Sequence, residues 1–302
     1  MKKGKVIALG YFDGVHLGHG GLLRKARQMA DELGALAAAV TFHPHPSVLL
    51  TGKSVPLLTS DEDRARLMQT LYGMDEVLTL PFDKALMTMP WLDFLETVLI
   101  RGFDAAGLVC GHDFRFGYRG EGTAEKLQAF CEARGIPCAV IPEIRLEGKT
   151  VSSTLLRQLL KEGDMDAAVR FLGHPHVLTG TVEHGFGRGN TWGIPTANVP
   201  FPRGIAVPAR GVYATRVLVD GIAHIAVTNV GTHPTVGNTD EAQAEAWLLD
   251  FSGDLYGKTV TVEFYRLLRE ERRFPSVEAL VAEIRRNAEE TRAYFKNPAV
   301  TL

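Results

Sequence analysis

The sequence of 302 residues is poor in cysteine: it has only Cys110, Cys131 and Cys138, and no two of them form a Cys-x-x-Cys pair. An odd number of cysteines argues against a disulfide framework, and the missing pair argues against a cysteine-type zinc site. We therefore expect a protein of the reducing cytoplasm.

Long apolar runs and an excess of one charge are also missing. No apolar stretch approaches the roughly 18 residues of a membrane span, and the apolar run after the first lysines is too short for a signal peptide. The net charge of −2 gives no electrostatic sign of a nucleic-acid partner. We expect neither a membrane nor a nucleic-acid partner, and the oligomeric state stays open.

The composition is instead that of a soluble globular protein, with 45% hydrophobic and 23% charged residues. Up to residue 173, short apolar segments alternate with helical periodicities, which predicts a doubly wound parallel α/β sheet. Beyond it, β-like segments separated by glycine turns predict a small antiparallel β-barrel, followed by a last helix. The predicted domains are therefore residues 1–173 and 174–302.

A glycine-rich turn with two histidines, GYFDGVHLGH (10–19), follows the first predicted strand. Ligands of doubly wound sheets bind at strand carboxyl ends, and a following helix offers N–H groups to anions. A zinc site is less favoured, because His16 and His19 are three apart without a third ligand nearby. The histidines are predicted to stabilise charge on a reacting phosphate. The other residues of the predicted phosphate site are Gly10, Phe12, Asp13, Gly14 and Gly18. Whether Asp13 contacts the ligand or shapes the turn stays open.

Three further strings carry polar or aromatic side chains beside predicted strand ends or helix starts. They are TFHPHP (41–46), GHDFRFGYRGEG (111–122) and VSSTLLRQLL (151–160). In the last string, hydroxyls can cap a helix and contact phosphate. One turn later, Arg157 can bind phosphate oxygens bidentately. Alone, the string is more typical of a plain N-cap with a surface arginine.

Together and in this order, the four strings resemble the adenylyltransferase half of the bacterial bifunctional riboflavin kinase/FAD synthetases, within the nucleotidyltransferase superfamily. The resemblance implies that the phosphate of FMN attacks the α-phosphorus of ATP and that pyrophosphate leaves. It implies that His16 and His19 act on the ATP phosphates. The residues implied to hold the departing phosphates are Ser152, Ser153, Thr154 and Arg157. The residues implied to contact the flavin are His43, Pro44, Asp113, Phe114 and Phe116.

The strongest string of the second half is GRGNTWGIPTANV (187–199), which resembles the riboflavin kinase signature ending in PTAN. Thr196 and Asn198 alternate onto one side, and their oxygens suit Mg²⁺. The residues predicted to approach a phosphate are Gly187, Arg188 and Gly189. The alternative is a turn rich in asparagine and glycine, with a threonine–asparagine hydrogen bond.

By the same resemblance, Glu245 is the base that takes the proton from the ribityl 5′-hydroxyl of riboflavin, and Arg269 faces the flavin or a phosphate. Against the family pattern we expect an aromatic residue, arginine, histidine and aspartate at four positions, where this chain has Ile194, His233, Trp247 and Asn287.

The expected function is therefore two-step synthesis of FMN and then FAD, with ATP as co-substrate and Mg²⁺ as cofactor. The alternatives are a chain with only one of the two activities, a flavin-binding regulatory protein without turnover, and a nucleotidyltransferase with another acceptor.

Overall fold

The computed structural model describes residues 4–184, 192–234 and 240–297. The chain divides into two compact units, Met1–Ser153 and Thr154–Leu302. This division falls earlier in the chain than residue 173, where we predicted the first domain to end, and that boundary stays a prediction.

The first unit alternates strands and helices. Its strands are β1 (Lys5–Leu9), β2 (Leu36–His43), β3 (Glu76–Pro81), β4 (Ala105–Gly111), β5 (Arg115–Phe116), β6 (Gly122–Thr123), β7 (Cys138–Ile141), β8 (Arg145–Leu146) and β9 (Lys149–Thr150). Its helices are α1 (Leu17–Leu33), α2 (Pro46–Thr51), α3 (Asp61–Tyr72), α4 (Lys84–Thr88), α5 (Trp91–Asp93) and α6 (Ala124–Glu132), with a π-helical turn at Phe94–Gly102 directly after α5.

Five of these strands form one sheet in the order β3-β2-β1-β4-β7. Every neighbouring pair is parallel, which confirms the predicted doubly wound sheet. From β1 the chain builds outward to β2 and β3 and then returns to add β4 on the other side. The point where the order reverses therefore lies between β1 and β4, and ligands of such sheets bind at this point, at the strand carboxyl ends.

The glycines at 18, 20 and 21 predict that the first helix begins near residues 18–21, and helix α1 begins slightly earlier, at Leu17. His16 is its N-cap, and the Nδ1 atom of His16 accepts a hydrogen bond from the backbone N–H of His19 at 3.3 Å. Gly34 ends the helix with a left-handed φ of 63°. The earlier start matters because it places both histidines at the first turn of the helix.

The second unit begins within helix α7 (Ser153–Glu162), whose first residue belongs to the first unit, and continues with α8 (Met165–Leu172); Gly163 and Asp164 separate the two helices. Its strands are β10 (His176–Thr181), β11 (Ala197–Pro200), β12 (Gly211–Val219), β13 (Ile222–Pro234), β14 (Asp240–Leu248) and β15 (Thr259–Glu270), and the last helix is α9 (Val277–Lys296). Among the described residues, no helix combines the length and the apolar character needed to cross a membrane.

The strands of the second unit form one antiparallel sheet in the order β10-β15-β12-β13-β14-β11. The edge strands approach each other just beyond β10, where the N–H of Glu183 donates to the carbonyl of Asn198 at 2.9 Å. This contact brings the sheet round into a six-stranded barrel and confirms the predicted architecture.

Candidate active sites

A polar cavity of ≈ 480 Å³ opens at the carboxyl ends of β1, β4 and β7, next to the point where the strand order reverses; we call it the phosphate cavity. Leu9, Gly111 and Ile141, the last residues of these strands, border it. The predicted site residues on its wall are Gly10, His16, Gly18, His19, Asp113, Phe114, Ser152 and Ser153. The topology therefore brings together three of the four strings.

The two histidines form a stacked pair, with ring centroids 3.6 Å apart and an interplanar angle of 16°. Burial, together with the nearby His16 and Arg64, holds the pKa of His19 well below its ordinary value. Its Nδ1 atom is buried and has no hydrogen-bond partner within the described ranges. A neutral imidazole with an unused ring nitrogen can donate a hydrogen bond to a phosphate oxygen at neutral pH.

Gly18 allows this stacking. A Cβ atom at residue 18 would lie 3.0 Å from the ring of His16 and 3.0 Å from the carbonyl oxygen of Val151, which is closer than side chains tolerate. Glycine is therefore required here for a close approach and not for its backbone angles.

Asp13 lies beneath the turn and not on the cavity wall. Its Oδ1 atom accepts hydrogen bonds from the N–H groups of Leu58 at 2.8 Å and Thr59 at 3.3 Å. The adjacent Phe12 and Gly14 are also buried, and the N–H of Gly14 donates to Thr59. In this structure Asp13 and Gly14 therefore shape the turn, and the phosphate contacts expected of Phe12, Asp13 and Gly14 stay predictions.

The turn itself is strained. Phe12 has a φ of 60° and Val15 a φ of 43°, and the left-handed region is rarely populated by bulky or β-branched residues. Each such residue costs on the order of 1–3 kcal/mol and persists only where its surroundings hold it. The hydrogen bonds that Asp13 accepts hold the turn in this conformation.

The serines of the VSSTLLRQLL string lie beside the turn. Ser153 begins α7, and its Oγ donates to the backbone carbonyl of Asp13 at 3.0 Å. Thr154 and Arg157 belong to the second unit, so their predicted contacts with the departing phosphates stay predictions.

Sequence analysis missed a fully buried arginine beneath the histidine pair. The guanidinium of Arg64, on α3, lies 4.5 Å from the ring centroid of Tyr11 and pairs with Asp61. The other oxygen of Asp61 lies 2.6 Å from Nδ1 of His43. Within the described residues, the Nε and Nη1 atoms of Arg64 have no hydrogen-bond partner. A buried positive charge therefore lies close to the phosphate cavity.

A second cavity, of ≈ 520 Å³, lies at the carboxyl ends of β2 and β3; we call it the apolar cavity. Its wall is mainly aromatic and aliphatic, apart from two arginines. The residues that border it are Phe42, Pro46, Leu50, Phe82, Leu86, Met87, Phe94, Arg115, Phe116, Gly117, Arg119 and Gly120. Such a wall suits a flat aromatic ring system.

The residues expected to contact a flavin are divided between these surfaces. Phe116 borders the apolar cavity, while Asp113 and Phe114 border the phosphate cavity. Phe114 stacks on Phe116 with ring centroids 5.4 Å apart. His43 and Pro44 border neither cavity, whereas their neighbours Phe42 and Pro46 border the apolar one, and the flavin contact expected of His43 and Pro44 stays a prediction.

Two cavities formed by described residues of the barrel unit share one residue, Thr196. The larger, of ≈ 570 Å³, lies between the PTAN segment and the turn at residues 251–256. The smaller, of ≈ 250 Å³, is bordered by Glu245 and Arg269, both predicted site residues. Trp192, Trp247 and Phe274 add aromatic surface to the smaller cavity.

Glu245 lies in a row of polar side chains across three strands. It is the register partner of Asn198 on β11 and of Asn229 on β13. Directly opposed residues of a sheet project from the same face, so two amides flank the carboxylate. Asn198 was predicted as a metal ligand. Asn229, the first residue of the segment NVGTHPTVG (229–237), was not predicted as a site residue.

Arg269 is held at the rim of the smaller cavity. Its Nε donates to Oδ1 of the buried Asn287 at 3.1 Å and lies 3.5 Å from Oε1 of Glu283. Burial lowers the pKa of Arg269. Asn287, where we expected aspartate, thus supplies a neutral acceptor. The predicted phosphate contacts Gly187, Arg188 and Gly189 lie outside the described residues, as does the side chain of His233.

A nucleotide-binding α/β unit with a histidine pair, followed by a six-stranded barrel with a carboxylate beside oxygen donors, defines a two-domain nucleotide-dependent transferase. Family models for FAD synthetase and riboflavin kinase match residues 1–155 and 172–295. The chain belongs to the family of bifunctional riboflavin kinase/FMN adenylyltransferases.

Relatives with that function match almost end to end. The chain is 38% identical to the bifunctional riboflavin kinase/FMN adenylyltransferase of Pseudomonas fluorescens, over 96% of this chain and 93% of the relative. The corresponding values are 35%, 97% and 94% for Escherichia coli K12, and 34%, 96% and 92% for Listeria monocytogenes.

A solved structure has the same fold over almost the whole length. It is a Streptococcus pneumoniae protein described as a macrolide-efflux protein, with a TM-score of 0.85 and 30% identity, covering 97% of this chain and 95% of that one.

Proposed function

We propose that this chain converts riboflavin to FMN in the barrel unit and FMN to FAD in the α/β unit, with ATP as co-substrate of both steps. The observation that carries the proposal is the pair of cavities along one sheet edge: a phosphate cavity with a histidine pair, and an aromatic-lined cavity beside it. The family membership of the chain supports both activities.

In the adenylyl-transfer step, an oxygen of the FMN phosphate attacks the α-phosphorus of ATP, and pyrophosphate leaves with the bonding electron pair. His16 and His19 donate hydrogen bonds to the phosphate oxygens and stabilise the charge that develops there. Ser152, on the same wall, adds a hydroxyl donor, while the hydroxyl of Ser153 donates to the carbonyl of Asp13 and holds the turn beside the histidines. No covalent enzyme intermediate is needed, because positioning and charge stabilisation lower the barrier.

In the kinase step, Glu245 takes the proton from the ribityl 5′-hydroxyl, the oxygen attacks the γ-phosphorus of ATP, and ADP leaves. We place ATP in the larger barrel cavity and riboflavin in the smaller one, where Trp247 and Phe274 offer ring surfaces.

Thr196 and Asn198 would hold Mg²⁺. Their oxygens are donors of the kind that Mg²⁺ prefers, Thr196 borders both barrel cavities, and Asn198 lies beside Glu245. The metal would neutralise charge on the ATP phosphates. We also place the enzyme in the cytoplasm, which its three free cysteines support.

The test follows riboflavin, ATP and Mg²⁺ through to FMN and FAD by chromatography. His16→Ala should abolish FAD formation and leave FMN formation intact. Glu245→Gln should abolish FMN formation and still make FAD from supplied FMN. A wild-type enzyme that makes neither product refutes the proposal, and loss of both activities in either variant refutes the assignment of separate sites.

A further inference from the structure

Arg115 occupies a position that no other described residue shares: it borders both the phosphate cavity and the apolar cavity. The chain from Asp113 to Phe116 forms the wall between them. Asp113 and Phe114 border only the phosphate cavity, and Phe116 borders only the apolar one. Arg115 therefore stands at the junction of the two cavities.

Arg115 also differs in charge from the other residues of the junction. Of the described residues that border the phosphate cavity, Arg115 is the only lysine or arginine, and Asp113 and Glu143 are the only carboxylates. Arg115 is exposed. A hydrogen bond with Thr123 and, more weakly, the charge of Arg115 lower the pKa of Glu125, but within the described residues the guanidinium of Arg115 makes no ion pair. A guanidinium remains charged in proteins and presents a planar set of donors that matches a phosphate group bidentately.

If the α/β unit has the proposed function, these observations determine where the phosphate of FMN, which is the adenylyl acceptor, must lie. FMN carries its ring and its phosphate at opposite ends of a ribityl chain. With the ring in the apolar cavity and the α-phosphorus of ATP beside His16 and His19, the FMN phosphate has to reach the junction.

We propose that Arg115 binds the phosphate of FMN, orients it toward the α-phosphorus of ATP, and thereby makes the α/β unit select FMN over unphosphorylated flavins. An oxygen of that phosphate forms the new bond to the α-phosphorus, and the bond from the α-phosphorus to the bridging oxygen breaks. Pyrophosphate leaves with the electron pair. The phosphate dianion of FMN has no proton to lose, so the reaction needs no general base at this position. The guanidinium of Arg115 has only to bind and orient the phosphate.

The experiment uses the full chain with Arg115→Gln, and initial rates of FAD formation with FMN or ATP varied. Because a hydrogen-bonded charge pair is lost, kcat/KM for FMN should fall roughly tenfold to a hundredfold while KM for ATP stays unchanged. Arg115→Lys keeps the charge without the bidentate geometry and should lie between the wild type and Arg115→Gln.

Lumiflavin separates a phosphate contact from a ring contact. It has the ring system with a methyl group in place of the ribityl chain, so it has neither the phosphate nor a 5′-hydroxyl that the barrel unit could phosphorylate. Its inhibition constant against FMN should be the same in Arg115→Gln as in the wild type. Arg101→Gln is the matched control, because it removes one exposed arginine charge from the same unit away from both cavities. It should leave all of these constants unchanged.

Three results would overturn the proposal: an unchanged kcat/KM for FMN in Arg115→Gln, a raised KM for ATP, or lumiflavin inhibition weakened as much as FMN use. A wild-type enzyme that makes no FAD from FMN and ATP would instead refute the proposed function.

Discussion

Replacing Asp13 by alanine should destabilise the α/β unit through the loop that precedes α3. The carboxylate accepts the N–H groups of Leu58 and Thr59, and these residues are only 0% and 2% exposed. Without the carboxylate, both donors remain buried without this acceptor. An unsatisfied buried donor costs about 1–3 kcal/mol, so Asp13→Ala should lower the free energy of unfolding by about 2–5 kcal/mol.

Asp13→Asn is the matched variant. The asparagine side chain keeps an oxygen that can accept the same two hydrogen bonds but has no charge, so the loss should be about 1 kcal/mol. Urea unfolding measures the total change. Hydrogen exchange of peptides spanning residues 55–62 reports the local opening, which matters because a chain of two units need not unfold in one step.

Formation of FMN by the barrel unit provides the internal control, since the substitution lies in the other unit. FAD formation should fall in step with the loss of stability of the α/β unit. If Asp13→Ala unfolds at the wild-type urea concentration, with wild-type exchange at residues 55–62, and nevertheless makes no FAD, then Asp13 acts on the ligand and the role assigned to it here is wrong.

Two further predictions concern the histidine pair. Gly18→Ala introduces a Cβ atom 3.0 Å from the ring of His16 and 3.0 Å from the carbonyl oxygen of Val151. Because this displaces a catalytic group, the rate of FAD formation from FMN should fall about tenfold or more. The rate of FMN formation, measured in the same sample, should be unaffected. Burial and the nearby His16 and Arg64 lower the pKa of His19 in the folded protein. Below the unfolded-state pKa of about 6.5, the unfolded chain therefore binds more protons than the folded one, and the free energy of unfolding decreases as the pH decreases. In urea unfolding, the free energy of unfolding of His19→Gln should decrease less steeply than that of the wild type below about pH 6.5. An equally steep decrease would contradict a lowered pKa of His19.

The fold could be predicted because each of its signals is local. Apolar strands and amphipathic helices alternate in the first half, and turn-separated strands fill the second. The start of α1 was misjudged because Gly18 and its neighbouring glycines have poor helix propensity. The cap formed by His16 and the packing of the helix against the sheet outweigh that propensity.

The candidate sites were predictable only where one string contains the whole signal. His16 and His19 are three residues apart, and Thr196 and Asn198 are two apart, so the sequence shows each pair. The partners of Asp13 lie 45 and 46 residues away in the sequence, and no short pattern reveals them. Arg64 was equally hidden, because an arginine in a helix rich in acidic residues is typical of an exposed surface.

The apolar cavity was missed for a topological reason. Phe42, Phe82 and Phe94 each look like ordinary core residues in their own segments, and only the strand order brings them together. Because β2 and β3 lie on one side of β1 while β4 and β7 lie on the other, the carboxyl edge of one sheet carries an apolar surface beside a phosphate surface. The segment after β4 then runs between the two. An arginine in that segment is placed to hold the charged end of an acceptor whose other end is aromatic, and this is the geometric requirement for joining FMN to the adenylyl group of ATP.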